Sequence, residues 1–489
     1  MSMPSATPEP LHTFHSASGL RVQLQAHGAL HRMDCHGVML NLFVGNALEG
    51  GPANVWLRRH GPDGTVQATP LLGPLSPLQP QPGAAGYAAC GPWQGLQISL
   101  QLRLAATEPA WFWHVALHNP SAQPHTLDLV LVQDVGLSPY AATRLNEYYV
   151  SHYIDFTPLT HEQHGCMLAA RQNLAVGGLH PWLLMGSLRR AARRATDARQ
   201  VLGGAVRAGG LPLGITHGLP GPRLQQEHAL IALQDEPFTL APGGRVNAGF
   251  FGHVQAHHPG ATQAADLAAA DATLALAEAQ PPVTLPLAAD VVPVLPSLFA
   301  TAPLLQGQDL SADEIEQIFG PQRRHEEWQD GRPLSFFAGE HEHVVLRAKE
   351  LQVQRPHGHI LRSGAHLVPD ETALTSTVWM AGVFHSMVTQ GHVSINRFLS
   401  TVRGMLGQFR SHGQRVWVAE PHAGSAWQQL GVPSAFGVAP SGCRWVYRLG
   451  TRLLELRSAA SSGTEGHALT LRLRVLQGPP LRAMVTHHV

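Results

Sequence analysis

LQISLQLRL (96–104) decides the fold class. Leu96, Ile98, Leu100, Leu102 and Leu104 alternate with Gln97, Ser99, Gln101 and Arg103. A period of two puts the apolar side chains on one face of an extended chain, which is the signature of a half-buried antiparallel strand. The pattern continues outward. Trp111, Trp113, Val115 and Leu117 repeat it, Asn119-Pro120 starts a turn, and Leu127, Leu129 and Leu131 are expected to return the chain as the hairpin partner. Upstream, strands are expected near 20–25, 38–44 and 54–58, the last entered through the turn Gly50-Gly51-Pro52. The proline- and glycine-rich stretch 70–92 reads as a long connection. NEYYVSHYID (146–155) mixes aromatic and polar residues and is expected as a strand at the edge of a groove. Short strands divided by Gly and Pro fill 165–254, so the first part of the chain reads as a large antiparallel sandwich and not as a βαβ fold.

The period changes at 261. ATQAADLAAADATLALAEA (261–279) has high helix propensity and is stopped by Pro281-Pro282. A Pro/Leu/Ala-rich linker over 280–309 follows. Ser311 with Glu314 then makes a capping box ahead of Ile315, Ile318 and Phe319, which predicts a second short helix. Strands resume at about 334 and recur at 415–418, 443–448, 453–457 and 469–475. The expected fold class is mainly β, with two antiparallel sandwich regions joined by a helical linker. The expected division is a disordered tail over 1–10, an N-terminal sandwich over 11–258, a helical and proline-rich linker over 259–330, and a second sandwich, complete or truncated, over 331–489.

Composition narrows the function classes. The 489 residues carry 33 basic and 33 acidic side chains, and a neutral chain offers no basic face for nucleic acid or an anionic membrane. Charged residues make up 13% against about 25% in an average domain. That deficit fits extensive burial, including interfaces between domains or subunits, and fits a codon bias equally. Cys35, Cys90, Cys166 and Cys443 form no CxxC or zinc spacing and read as buried thiols of a reducing compartment. No secretory signal pattern and no run of about 20 apolar residues occurs, so a cytoplasmic location is expected.

Chemistry-bearing residues crowd into 335–400. His341, His343, His357, His359, His366, His385 and His392 lie there with Arg355, Arg362, Arg397, Asp370, Glu371 and Lys349, the only lysine of the chain. On a strand, residues i and i+2 share a face, so His341/His343 and His357/His359 could each converge on a metal, but no further ligand with diagnostic spacing follows. Hydrogen-bonded histidines on a strand explain the same pattern, and no metal site is expected. Arg355, His357, His359 and Arg362 could bind an oxyanion or form a salt-bridged turn at a domain interface. Asp370 and Glu371 are adjacent and would point to opposite faces of a strand, a poor arrangement for a pair of glycosidic carboxylates. No GxSxG, Walker loop or GxGxxG in a strand–helix context is present. Trp111, Trp113, Trp379 and Trp417 could stack on sugar rings or fill a sandwich core. The residues alone describe a β-rich protein with a polar groove and no self-sufficient catalytic set.

Seven stretches carry a resemblance, in order along nearly the whole chain: NALEGGPANVWLR (46–58), NEYYVSHYID (146–155), LSFFAGEHEHVVLRAKEL (334–351), RPHGHILRSG (355–364), TSTVWMAGVFHSMVTQGHVSINRFLS (375–400), GVPSAF (431–436) and CRWVY (443–447). Together they resemble the N-terminal part of the 1,2-β-oligoglucan phosphorylases of the glycoside hydrolase family 94 group. That group includes cellobiose phosphorylase and the phosphorylase region of cyclic β-1,2-glucan synthase. The resemblance implies sandwiches of the galactose-mutarotase-like supersandwich type, followed by a helical linker, an (α/α)6 barrel and a small C-terminal β domain. It implies phosphorolysis of β-glucosidic bonds with inversion, inorganic phosphate as co-substrate, no other cofactor, and one general-acid Asp on the barrel. Nothing after 320 has the helical period that such a barrel needs, so the barrel is expected to be absent, the chain to be a fragment, and no catalytic residue is carried over. The implied partners are a β-glucan oligosaccharide and a barrel-bearing catalytic half, on the same subunit or a separate chain, with a homodimer among the arrangements. Alternatively, the chain is a standalone β-glucan-binding or assembly module. Arg355, His357, His359, Arg362, His385 and His392 are expected to face the glucan or the barrel.

Overall fold

The computed structural model describes residues 11–81, 86–225, 228–282, 296–353, 356–362, 374–381, 387–390, 409–440, 442–463 and 466–488. The chain forms two compact units: Met1–Gly203 with Pro212–Ala300, and Gly204–Leu211 with Thr301–Val489.

The first unit is built on a 14-stranded sheet. Its path runs Val66–Pro70, Asn54–His60, His125–Asp134, Ala229–Asp235, Ala191–Asp197, Gly165–Gln172, Trp182–Ser187, Arg245–Gln255, Ala110–His118, Leu96–Leu104, Tyr87–Trp93, Gln79–Pro80. Gly165–Gln172 and Ala191–Asp197 meet at one parallel pair, Gly165 with Ala191, and the other neighbours on the path are antiparallel. Ile98, Leu100, Trp111 and Trp113 from one end of the path share a single apolar core with Val55, Leu57, Leu129 and Leu131 from the other. The sheet is therefore folded over into a sandwich, as the alternation at 96–104 requires. A separate five-stranded sheet contains Leu20–Leu24 and Leu30–Cys35.

Four local expectations for this unit are corrected. The stretch 70–92 is not one long connection: it contains the strand Gln79–Pro80 and most of the strand Tyr87–Trp93, which pair antiparallel. Ala110–His118 and His125–Asp134 are not a hairpin: the first pairs with Leu96–Leu104 and Arg245–Gln255, the second with Asn54–His60 and Ala229–Asp235. Asn119 closes the connection between them by donating to the carbonyls of Gln123, Leu240 and Ala241. The stretch 146–155 is a helix, Glu147–His152, followed by the strand Ile154–His161. Asn146 caps it by accepting from the Tyr149 amide at 3.2 Å, an N-cap preference that outweighs the aromatic β-propensity. Within 38–44 only Val38–Met39 is strand, because the amides of Leu42 and Phe43 donate to the buried Asp134 carboxylate at 2.8 and 2.7 Å and are not free for a ladder. Burial pushes Asp134 up to about 6 against those bonds.

The segment expected as a linker is divided. Residues 261–279 form the helix Leu267–Leu274 between two short 3₁₀ turns, and belong to the first unit. Ala270 joins Phe112, Trp182, Leu184 and Phe251 in a second core cluster, so the helix is docked on the outer face of the sheet. Arg103 and His114 reach across to the carbonyls of Gln280 and Glu278 at 3.0 and 2.8 Å.

Asp235 is fully buried in this sandwich. Burial pushes its carboxyl up to about 8, more than the Ser187 hydroxyl and Arg189 pull it down, and Asp128 adds to the rise. An unfolded Asp titrates near 3.9. From about pH 4 to about 8 the folded chain therefore holds a proton that the unfolded chain has released, and stability falls as pH rises across that window. Asp235→Asn is expected to flatten that slope and to be more stable than wild type above pH 8, read from denaturation midpoints at pH 5 and pH 9. A wild-type slope of the opposite sign, unchanged in the variant, would contradict this.

Among the described residues the second unit contains three sheets. The largest has seven strands, ordered Arg323–Gln329, Arg332–Ala338, Glu342–Leu346, Ala435–Ala439, Gly442–Leu449, Arg452–Gly463, Gly466–Gln477. A four-stranded sheet runs Leu304–Leu305, Gln428–Leu430, Gly413–Ala419, Arg482–His488, and a three-stranded one runs Gly358–Arg362, Leu374–Trp379, Met387–Gln390. Val416, Val418, Phe436, Trp445, Tyr447, Leu454 and Leu456 form the core they share. The capping box is present: the Ser311 amide donates to Glu314 Oε2 at 2.9 Å and the Glu314 amide to Ser311 Oγ at 3.2 Å. The helix is Ala312–Phe319, with Ile315 and Phe319 buried.

Candidate functional site

The stretch LSFFAGEHEHVVLRAKEL places two strands and a short helix side by side, and a polar cluster grows from them. Strands Arg323–Gln329 and Arg332–Ala338 set Glu327 opposite Ser335. Cross-strand partners share a face, and the Ser335 hydroxyl donates to Glu327 Oε2 at 2.7 Å. RAKELQ, made of strong helix formers, turns as Arg347–Gln352 directly after strand Glu342–Leu346. Successive helical side chains diverge, so Lys349 and Glu350 go opposite ways. Lys349 Nζ donates to Ser335 Oγ at 3.2 Å and to Glu327 Oε2. Those bonds, Lys349 first and Ser335 second, hold the Glu327 carboxyl below the usual carboxylate range.

Glu350 is buried completely. Its Oε2 accepts from the His357 amide at 3.0 Å and from His357 Nδ1 at 2.6 Å, which fixes the proton on that nitrogen. Its Oε1 faces Arg207 Nη1 at 3.4 Å. Arg207 comes from the segment Gly204–Leu211 and also donates to the carbonyls of Glu350 at 2.8 Å and Val353 at 2.5 Å. His343 stacks on Phe337 at 4.8 Å between centroids, and burial, then Lys349 and His357, push its imidazole below the ordinary value. Each cation of this group is matched to a carboxylate or carbonyl oxygen of the same unit, which makes it a hydrogen-bonded ion network holding the helix and the turn after it.

Of the residues singled out from sequence, His357 and His359 separate. His357 turns to Glu350, whereas His359 is pushed down by burial and donates through Nε2 to the Ala439 carbonyl at 3.2 Å. The two do not converge. Arg355, His385 and His392 lie outside the described residues, as do His366, Asp370, Glu371 and Arg397; Arg362 is described in backbone alone, at the end of Gly358–Arg362. In the Glu340–His343 run, His341 is exposed beside Glu340 at 3.6 Å, and both Glu342 oxygens are held at 2.6 Å by Arg444. Among the described residues no three His, Cys, Asp or Glu side chains gather as metal ligands would. Trp111, Trp113 and Trp417 are buried in cores. Sequence reasoning missed Arg207 and Glu350, which lie 143 residues apart. The available signal was a solitary arginine in the small-residue run AVRAGG and a glutamate beside the chain's one lysine.

Comparison with known proteins adds three findings. Residues 23–252 match the SOGP N-terminal domain, and residues 320–489 match the glycoside phosphorylase supersandwich domain. A 1,2-beta-oligoglucan phosphorylase of Listeria innocua serovar 6a is 27% identical over 469 residues, which is 94% of this chain and 40% of that protein. The chain thus spans about two fifths of the length of the curated relative it matches. Among solved structures, a candidate aldose 1-epimerase of Escherichia coli K12 aligns over 50% of this chain and 99% of its own at 10% identity and a TM-score of 0.29. A bacterial glucoamylase complexed with acarbose aligns over 54% and 36% at 8% identity and 0.31. Likenesses of that size carry no weight for function. No helix among the described residues is long and apolar enough to cross a membrane.

Proposed function

Since the chain belongs to the SOGP glycoside phosphorylase family, pairing its N-terminal domain with its supersandwich domain, we propose that it is the non-catalytic portion of an inverting family 94-type phosphorylase acting on β-1,2-glucooligosaccharides. The observation that carries this reading is the pairing of the two domains in order while the longest helices among the described residues, Leu267–Leu274 and Ala312–Phe319, have eight residues each. A helical barrel takes about a dozen helices, and helices average about 11–12 residues. The general acid then sits on a barrel carried elsewhere, on the same polypeptide or on a second chain. There it protonates the departing oxygen while inorganic phosphate attacks the anomeric carbon in place of an activated water.

On this reading the ion network around Glu350 is a rigid support. Arg355, His357, His359, Arg362, His385 and His392 serve as barrel-facing residues rather than sugar contacts, because the imidazoles of His357 and His359 are already engaged within their own unit. The four cysteines are free and buried, which supports a reducing, cytoplasmic setting. The second reading, a standalone glucan-binding module, needs that polar face open. Co-purification separates the two: a tagged copy of this chain is expected to retain a barrel-bearing polypeptide through size exclusion. A chain that stays free of it, yet binds β-1,2-glucan and loses that binding when His357 or His359 is replaced, would favour the module.

A further inference from the structure

The first unit holds a cavity of about 510 Å³ that the ion network does not touch. Its floor is strand Arg245–Gln255, whose alternation sends Phe250 and Val254 into the main core and leaves Phe251 and His253 facing the helix Leu267–Leu274. Ala269, Ala272 and Leu276 form one wall, and the turns carrying His36 and Glu108-Pro109 form the others. Such a volume lies within the roughly 300–1,000 Å³ of small-ligand sites.

Five polar side chains line it, His36, Glu108, His253, Gln255 and Thr273, and the Thr273 hydroxyl is spent on the Ala269 carbonyl at 2.7 Å. Among the described residues the other four make no side-chain hydrogen bond or ion pair. His253 is only 8% exposed, and its Nδ1 is buried with no partner. His36 is held there at a cost. It occupies φ 48 in the two-residue turn His36-Gly37 between Cys35 and Val38, a left-handed position that favours Asn or Gly. Its ring lies so close over Gly19 that a Cβ there would come within 2.4 Å. The Ser18 hydroxyl donates to the Glu108 carbonyl at 2.9 Å and fixes the opposite turn.

The chemistry of the lining selects the ligand. A carboxylate that only accepts repels anions, and three metal-ligand side chains do not gather among the described residues. Burial lowers the His253 imidazole from its ordinary value, with Glu108 opposing it, and an imidazole ring offers donor and acceptor positions. The Gln255 amide offers both kinds of group, and Pro109, Ala269, Ala272 and Leu276 supply an apolar surface for C–H groups. That combination fits a neutral ring bearing several hydroxyls. We propose that this cavity is a carbohydrate subsite of the N-terminal unit, holding one pyranosyl ring between Glu108, His36, His253 and Gln255.

The test is a titration of this chain with a β-1,2-linked glucose disaccharide, followed by saturation-transfer NMR and calorimetry. The choice of probe rests on the proposed function; the readout is binding, independent of phosphorolysis. Wild type is expected to bind at millimolar sugar, and Glu108→Gln and His253→Phe are each expected to weaken binding about tenfold, the size of a lost hydrogen bond to a charged or buried partner. Glu108 is exposed, so Glu108→Gln leaves the fold in place if His253→Phe does not. Absence of binding by wild type, or binding that Glu108→Gln leaves unchanged, overturns the subsite and leaves the family reading standing. Failed reconstitution of phosphorolysis with binding intact does the reverse.

Discussion

Arg207→Ala is expected to cost the second unit about 3–5 kcal/mol of stability. The side chains of Arg207 and Glu350 are 1% and 0% exposed, so removing the guanidinium leaves a carboxylate in the interior with only His357 to answer it. The charge, rather than the lost packing, dominates that cost. A double change, Arg207→Met with Glu350→Gln, removes both charges and keeps an acceptor for the His357 amide, and it is expected to recover most of the loss, as replacements of buried ion pairs by neutral groups often do. Urea denaturation followed through the buried Trp417 and Trp445 reads both. A loss below about 1 kcal/mol for Arg207→Ala would mean that water reaches Glu350 and that the network is a surface feature.

The second large effect is in the first unit. Gly249→Ala is expected to cost about 3 kcal/mol, because two penalties act together. Gly249 has φ 149, and a Cβ there would lie 1.9 Å from the Trp113 carbonyl oxygen, a backbone atom of the neighbouring strand that cannot swing aside. Arg245–Gln255 is paired on both edges, with Ala110–His118 and Trp182–Ser187, so the shift must pass through the middle of the sheet. Gly260→Ala is the control. Nothing lies within 4 Å of a Cβ at that position, and its effect is expected to stay within about 0.5 kcal/mol. Equal losses at 249 and 260, by thermal or chemical unfolding, would contradict the packing described for that strand.

These two sites mark where the sequence is legible and where it is not. Alternation at 96–104 is local information, and Leu96–Leu104 is a strand with Leu96, Ile98, Leu100 and Leu102 buried. The Ser311–Glu314 box is equally local, and both of its bonds form. Strand pairing is not local. Ala110–His118 and His125–Asp134 each look like the other's partner in sequence, yet each pairs on both edges with other strands, which only the whole sheet reveals. At 146–155 two local signals compete, aromatic β-propensity against an Asn N-cap, and single-residue reading has no scale on which to rank them. Arg207 and Glu350 have no shared pattern at all. Their pairing depends on Gly204–Leu211 belonging to the second unit, a consequence of tertiary structure. The polar stretch 335–400 was legible as a cluster in sequence, but among the described residues His357 and His359 turn to different partners in a folded unit.

The proposed division of labour predicts a simple assay. Incubated with β-1,2-glucooligosaccharide and inorganic phosphate, this chain alone is expected to release no glucose 1-phosphate, and release is expected to begin when a barrel-bearing polypeptide of the same family is added. Robust glucose 1-phosphate formation by the isolated chain would place the proton donor within these 489 residues and contradict the account.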